Sequence, residues 1–288
     1  MGTITPSKFS SMLRDMIIRT ILAALLSVIL LSPAMAENEP GTEHMLAHRA
    51  AYRLTLDSVR DTASVVNAEG VMLFEVVDAC DAWASRQRFT LVITDRDGNT
   101  IETSSDYSTL EAKDGSSIRF SLTQMTEGAV TSRIAGEATV TGQGGRAVYS
   151  EPANTQEDLP AGTILPMIHT LRALAAARAG QRIFAAPLFD GTSAEGAQDT
   201  TTVMTGGWTA PQPNANFPLL ATLGSARMRI AFFDRAAGGQ NSGASTPDYE
   251  VSMRYFENGV ADELKMDFGE FVVEGRLGEL QPIPSPCG

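Results

Sequence analysis

The chain has 288 residues, 22 Lys and Arg against 34 Asp and Glu, and a net charge of −12. So acidic a surface repels nucleic-acid phosphates and anionic headgroups, whose binding rests on clustered Lys and Arg, and nucleic acid is excluded as a partner. The length suffices for a sizeable core, in one large all-β domain or two smaller ones.

Lys8, Arg14 and Arg19 precede an apolar run over 21–26 and 28–31, which Ser32-Pro33 breaks before Ala34-Met35-Ala36. Small residues there match a secretory cleavage site, and a spanning helix needs about 20 apolar residues, more than this run holds. Residues 1–36 are therefore expected to be a cleaved signal peptide, residues 37–46 a flexible leader, and residues 47–288 one domain. Export would place the two cysteines, Cys80 and Cys287, where they can pair, the alternative being two reduced thiols. Pairing would close a very long loop, worth about 5 kcal/mol on the chain-entropy model. It would also hold the tail after the last expected strand, 278–288, against an early one.

From His48 the chain alternates, with Ala50, Tyr52, Leu54 and Leu56 on one face, the period of a half-buried strand. Apolar runs follow over 71–77 and 89–93. Turns rich in Asp, Asn and Gly at 95–99, 114–115 and 142–145 separate further alternating segments, an antiparallel meander. The pattern changes once, over 165–180: Pro166 suits a first helical turn, Met167, Leu171 and Leu174 share a face, and Gly180 is placed to end the helix. Strands resume over 182–189, 200–205 and 226–233, with a Gly/Ser/Asn-rich stretch, 236–247, expected to be mobile. Asn258-Gly259 between 249–256 and 260–268 is the strongest hairpin signal, and 271–277 follows.

The search for chemistry yields little. The three histidines, His44, His48 and His169, form no metal-binding spacing, and no nucleophile elbow or phosphate-cradling loop is present. Asp95, Asp97 and Asn99 have the spacing of the first calcium ligands of an EF-hand but lack the closing glutamate, so a hairpin turn is the better reading. Asp190 in Pro187-Leu188-Phe189-Asp190-Gly191 has no second carboxylate placed opposite it. No catalytic residue, metal site or cofactor is expected.

The expected fold is mainly β: a single curved antiparallel β-spiral or half-barrel of about a dozen or more strands with one central α-helix. Its concave face would suit an apolar guest. Trp83, Phe89, Phe120, Phe184 and Phe232 are candidates for its lining, or for core.

Leu46-Ala47-His48-Arg49-Ala50-Ala51-Tyr52 resembles the opening strand of the EipB-like cell-envelope integrity proteins, periplasmic proteins of alphaproteobacteria. Asp158 to Thr163, His169-Thr170-Leu171, Ala186 to Gly191, Tyr255 to Val260 and Leu264 to Gly269 match in the same order. The resemblance covers 46–288. It implies a β-spiral with a Cys80–Cys287 disulfide, a periplasmic location, a role in envelope integrity under stress and no established catalysis. It also implies cooperation with a periplasmic protein, one with tetratricopeptide repeats being the candidate. His48, Arg49, Tyr52, His169, Asp190, Gly191, Asn258 and Gly259 enter as motif residues without an assigned role. The function expected is non-enzymatic support of the envelope through a protein or lipid-bearing partner. The alternatives are a carrier of a lipid, acyl chain or lipoprotein and a hydrolase of envelope polymers.

Overall fold

The computed structural model describes residues 38–61, 64–235 and 246–287. The expected signal peptide and most of the stretch expected to be mobile lie outside the described residues. Fourteen strands form one antiparallel sheet. The first meander comprises β1 (His48–Val59), β2 (Val65–Asp78), β3 (Ala82–Asp95), β4 (Thr100–Ala112), β5 (Ser117–Thr126), β6 (Ala129–Thr141), β7 (Gly144–Glu151) and β8 (Thr155–Leu159). The second comprises β9 (Ile183–Leu188), β10 (Gln198–Met204), β11 (Ser225–Phe233), β12 (Tyr249–Phe256), β13 (Ala261–Asp267) and β14 (Phe271–Pro282). Pairing of β1 with β14 joins the two, from His48↔Pro282 to Val59↔Phe271, so β8 and β9 become the outer edges.

Helix α1 (Pro166–Arg178) connects those edges. Just before it, Ile164 bridges Leu188 of β9, which brings the ends of the sheet together and curls it into a spiral around the helix. Each strand shows the alternation that curling requires: Ala50, Tyr52 and Leu54 of β1 are buried, Arg49 and Arg53 exposed. The largest core cluster joins Leu54, Met228, Val260 and Val273 to Ala173 and Ala177 of the helix. A second holds Phe120 with Phe189 and Tyr149, ring centroids 5.3 and 5.5 Å away, edge to face.

The helix ends where its sequence says it should. Gly180, at φ +75°, lets Gln181 N–H reach Ala176 O (2.9 Å) and Gly180 N–H reach Ala177 O (3.1 Å). Its start has no local cap, since Leu165 has no suitable side chain. The carboxyl of Glu111, on β4 and fully buried, accepts instead from Met167 N–H at 2.9 Å and Ile168 N–H at 3.2 Å.

Three expectations change. The segment read as a flexible leader is docked: Glu39 pairs with Arg172 of α1 (2.8 and 3.0 Å), 42–44 form a 3-10 turn, and Leu46 N–H donates to Asn258 O (3.0 Å). Strand β8 was not anticipated, because Thr155-Gln156-Glu157-Asp158 has no apolar alternation; it is an edge strand. The tail is not an appendage either: β14 continues to Pro282 along β1, and the Cys80–Cys287 disulfide takes over only beyond it.

Candidate functional site

The concave face encloses a chamber of about 340 Å³ beside α1. Strand β1 contributes His48 and Tyr52, β2 contributes Met72, Phe74 and Val76, and β12 contributes Tyr249, Val251, Met253 and Tyr255. The alternation of each strand aims these residues inward. Met45, Met167, Met266 and Leu264 complete an apolar wall holding five of the chain's 12 methionines. A second chamber of about 440 Å³ adjoins it, the two meeting at Gln87, Tyr249 and Met266, which line both; the pair of chambers is the cleft. It reaches Phe271, which pairs with Val59 at the far end of β1 from His48.

His48 is 2 % exposed. Its Nδ1 lies 2.7 Å from Leu46 O, which assigns the Nδ1–H tautomer, while Nε2 meets no partner among the described residues. Burial holds the imidazole pKa below its usual value, so it is neutral and presents a free acceptor. Two of the tyrosine hydroxyls are tied down: Tyr52 donates to Ala261 O at 2.8 Å and Tyr107 to Asp190 O. Asp190 accepts from Thr192 N–H at 2.9 Å and Thr192 Oγ1–H at 2.7 Å. Burial raises its pKa, and these bonds oppose the rise. Gly259, at φ +80°, closes the β12–β13 turn against Met45, whose terminal methyl would overlap any Cβ there.

The motif residues divide into two groups. His48, Tyr52, Asp190 and Gly259, from three separate stretches of sequence, meet on this one chamber wall. The rest do not. Arg49 points outward to Glu75. His169 sits away from the cleft, with Thr202 Oγ1 3.1 Å from Nε2 and the Phe184 ring 5.5 Å away, and burial pushes its pKa down to about 4. Gly191 lies under the Phe120 ring, and the Asn258 side chain accepts from Val260 N–H at 3.2 Å. Of the five aromatic candidates only Phe89 lines the cleft; Trp83 and Phe120 are core, and Phe184 and Phe232 pack against core clusters.

Asp95 folds back on its own turn, accepting from Asp97 N–H and Asn99 N–H at 2.9 Å each, as a hairpin should. Among the described residues no group of three His, Cys, Asp or Glu could hold a metal ion. Cys80, in the β2–β3 turn, is bonded to Cys287, Cα atoms 5.3 Å apart. There Asp78 accepts from Cys80 N–H (2.9 Å), Ser285 Oγ (3.0 Å) and Lys113 Nζ, and the ammonium sits 4.4 Å over the Trp83 ring. The methionine wall and the polar inward row of β4 were missed from the sequence. The second had a signal: neither alternate set of Thr100–Ala112 is apolar.

Known proteins share this architecture. A β-barrel-like protein of a domain of unknown function from Brucella abortus, known from its crystal structure, superposes with a TM-score of 0.74 at 26 % identity over 83 % of this chain and 99 % of its own. Cell envelope integrity protein EipB of Brucella abortus (strain 2308) is 28 % identical over 254 residues, 86 % of this chain and 88 % of that protein. The EipB-like family model matches residues 40–284, the whole spiral and its helix, and the chain belongs to that family.

Proposed function

We propose that this protein supports the integrity of the cell envelope from the periplasm, as a binding protein, by receiving the acyl chain of a lipid-bearing partner in the cleft. The observation that carries this reading is the methionine-lined chamber. Five thioether side chains adapt to a flexible apolar guest, and the volume is within the range of ligand pockets. The name of the Brucella relative supports the envelope role. The disulfide and the apolar N-terminal run support an oxidising compartment. Asp190 is engaged by Thr192, which suits a wall that shapes a guest better than one that moves protons.

The test is purification under native conditions, organic extraction and mass spectrometry. We expect acyl-bearing lipid near one equivalent in the wild type and much less in Met253→Trp, which fills the chamber. A clean wild-type extract would overturn the reading. For a protein partner, such as one with tetratricopeptide repeats, we propose a separate docking surface. The outer face of β2 exposes Val71 (53 %) and Leu73 (46 %) beside Arg86 and Arg88 of β3. In-cell crosslinking from position 73 should capture the same protein reproducibly; recovery of this chain alone would remove that partner.

A further inference from the structure

The two chambers differ in chemistry, and the difference specifies the guest. Where β3 and β4 pair, the inward row of β4 runs Thr103, Ser105, Tyr107, Thr109, Glu111, opposite Leu91, Phe89, Gln87, Ser85 and Trp83. A concave sheet face that only packs against core is apolar. Hydroxyls placed there need partners, because burying them unpaired is costly. Deep in the spiral the row has them: Glu111 caps α1, and Thr109 Oγ1 lies 2.6 Å from Ser85 Oγ. Towards the outer chamber the row bonds more loosely, Thr103 Oγ1 donating to Met125 O at 3.4 Å. Thr103 and Ser105, with Gln124 and Thr126 of β5, form one wall of that chamber, and Phe268 and Phe271 stand among the lining residues from the other meander. Rings at 5.3 Å (Phe268–Phe271) and 5.8 Å (Tyr249–Phe268) make this side a continuous aromatic surface.

Among the described residues, none that lines the outer chamber is charged. An anionic head would meet the field of a chain of net charge −12 with no Lys or Arg to receive it, and a cationic head would find no carboxylate there. Hydroxyl and amide side chains facing ring surfaces are matched by an uncharged group rich in hydroxyls, which hydrogen-bonds on one side and lays its C–H face on the rings. The inner chamber, which adjoins this one at Gln87, Tyr249 and Met266, suits hydrocarbon. Resting on the reading that the cleft receives an acyl chain, we propose that its ligand is an amphiphile with an uncharged, sugar-like head: chain in the methionine chamber, head between β4–β5 and the Phe268–Phe271 surface.

The test holds the chain constant and varies the head. Dodecyl maltoside, dodecylphosphocholine and dodecyltrimethylammonium, each below its micelle concentration, are titrated into the delipidated full-length protein by calorimetry. The maltoside should bind about tenfold more tightly than the other two, the worth of one or two net hydrogen bonds. Ser105→Val with Gln124→Leu should abolish that preference and leave the charged heads' affinities unchanged. Should this pair lower the melting temperature, Thr103→Val with Thr126→Val carries the same expectation. Equal affinity of the three amphiphiles overturns the head-group inference and leaves acyl-chain binding standing. Binding of none overturns both.

Discussion

Two buried titratable residues, His169 within α1 and Glu111 capping its start, set opposite limits on stability. His169, pushed down by burial to about 4 from 6.5, is neutral in the folded chain, where Thr202 keeps it company. As pH falls from 6.5 to about 4 the unfolded chain takes up the proton and the folded chain does not. Stability from this residue is therefore complete above 6.5 and lost across that window, by about 3 kcal/mol. Glu111 has the reverse sign: burial pushes it up to about 8 from 4.5, against the opposing amides of Met167 and Ile168. The folded chain keeps a proton that the unfolded chain releases, so its contribution is complete below 4.5 and lost as pH rises towards 8. Urea unfolding followed from pH 4 to pH 8 should show both limbs. His169→Gln should flatten the acid limb and Glu111→Gln the alkaline one, each leaving the other in place. Slopes unchanged in the variants would assign the pH dependence to other groups.

At the scale of elements, α1 and the Leu165 that precedes it touch all four core clusters: the helix reaches three through Ala173, Met167 and Ile168, and Leu165 the other. Nine of its 13 residues are buried, and small side chains at 173, 176 and 177 set how closely the sheet wraps it. Ala173→Leu keeps helix propensity nearly constant, so its effect isolates packing: a loss of about 1–3 kcal/mol in denaturant unfolding. Arg172→Ala, which removes a half-exposed pair with Glu39, should cost less than about 1 kcal/mol. Equal effects would mean that the helix is held by its rim and not its core. This helix was legible because its period, first-turn proline and terminal glycine are local signals, and the Asn258-Gly259 hairpin was legible for the same reason. The β1–β14 pairing was not, since no local pattern says which distant strands will meet. The cleft was half legible. The β4 row reads as polar on both faces in the sequence, but which row faces inward depends on the curl. His48, Tyr52, Asp190 and Gly259 were visible as residues, while their convergence on one wall depends on β1, β9 and β12 being brought together across the sheet.

For the whole molecule the question is what keeps an open spiral wound. The edges meet through Ile164 and β9, and the two meanders are zipped by β1 and β14; both are hydrogen-bonded joints that fray from their ends. Beyond Pro282 one more backbone bond follows, Ile283 N–H to Ala47 O (2.8 Å), and past it the chain is fixed to the β2–β3 turn by the Cys80–Cys287 bond and by Ser285 on Asp78. The cross-link spans 207 residues, nearly the whole domain, so most of its effect falls on the unfolded chain, about 5 kcal/mol on the loop-entropy model. Cys287→Ser should therefore lower the melting temperature by about 10 °C or more and raise the denaturant m-value, because the unfolded chain expands. Cys80→Ser and the double variant should match it, since each removes the same bond. The chamber walls are set by β1, β2, β12 and α1, whose joints do not pass through the disulfide. Amphiphile affinity below the lowered melting temperature should then stay within about twofold of wild type. A variant that melts like the wild type would show that the β1–β14 zipper holds the tail unaided. One that melts lower and also loses the ligand would show that the bond sets the width of the cleft.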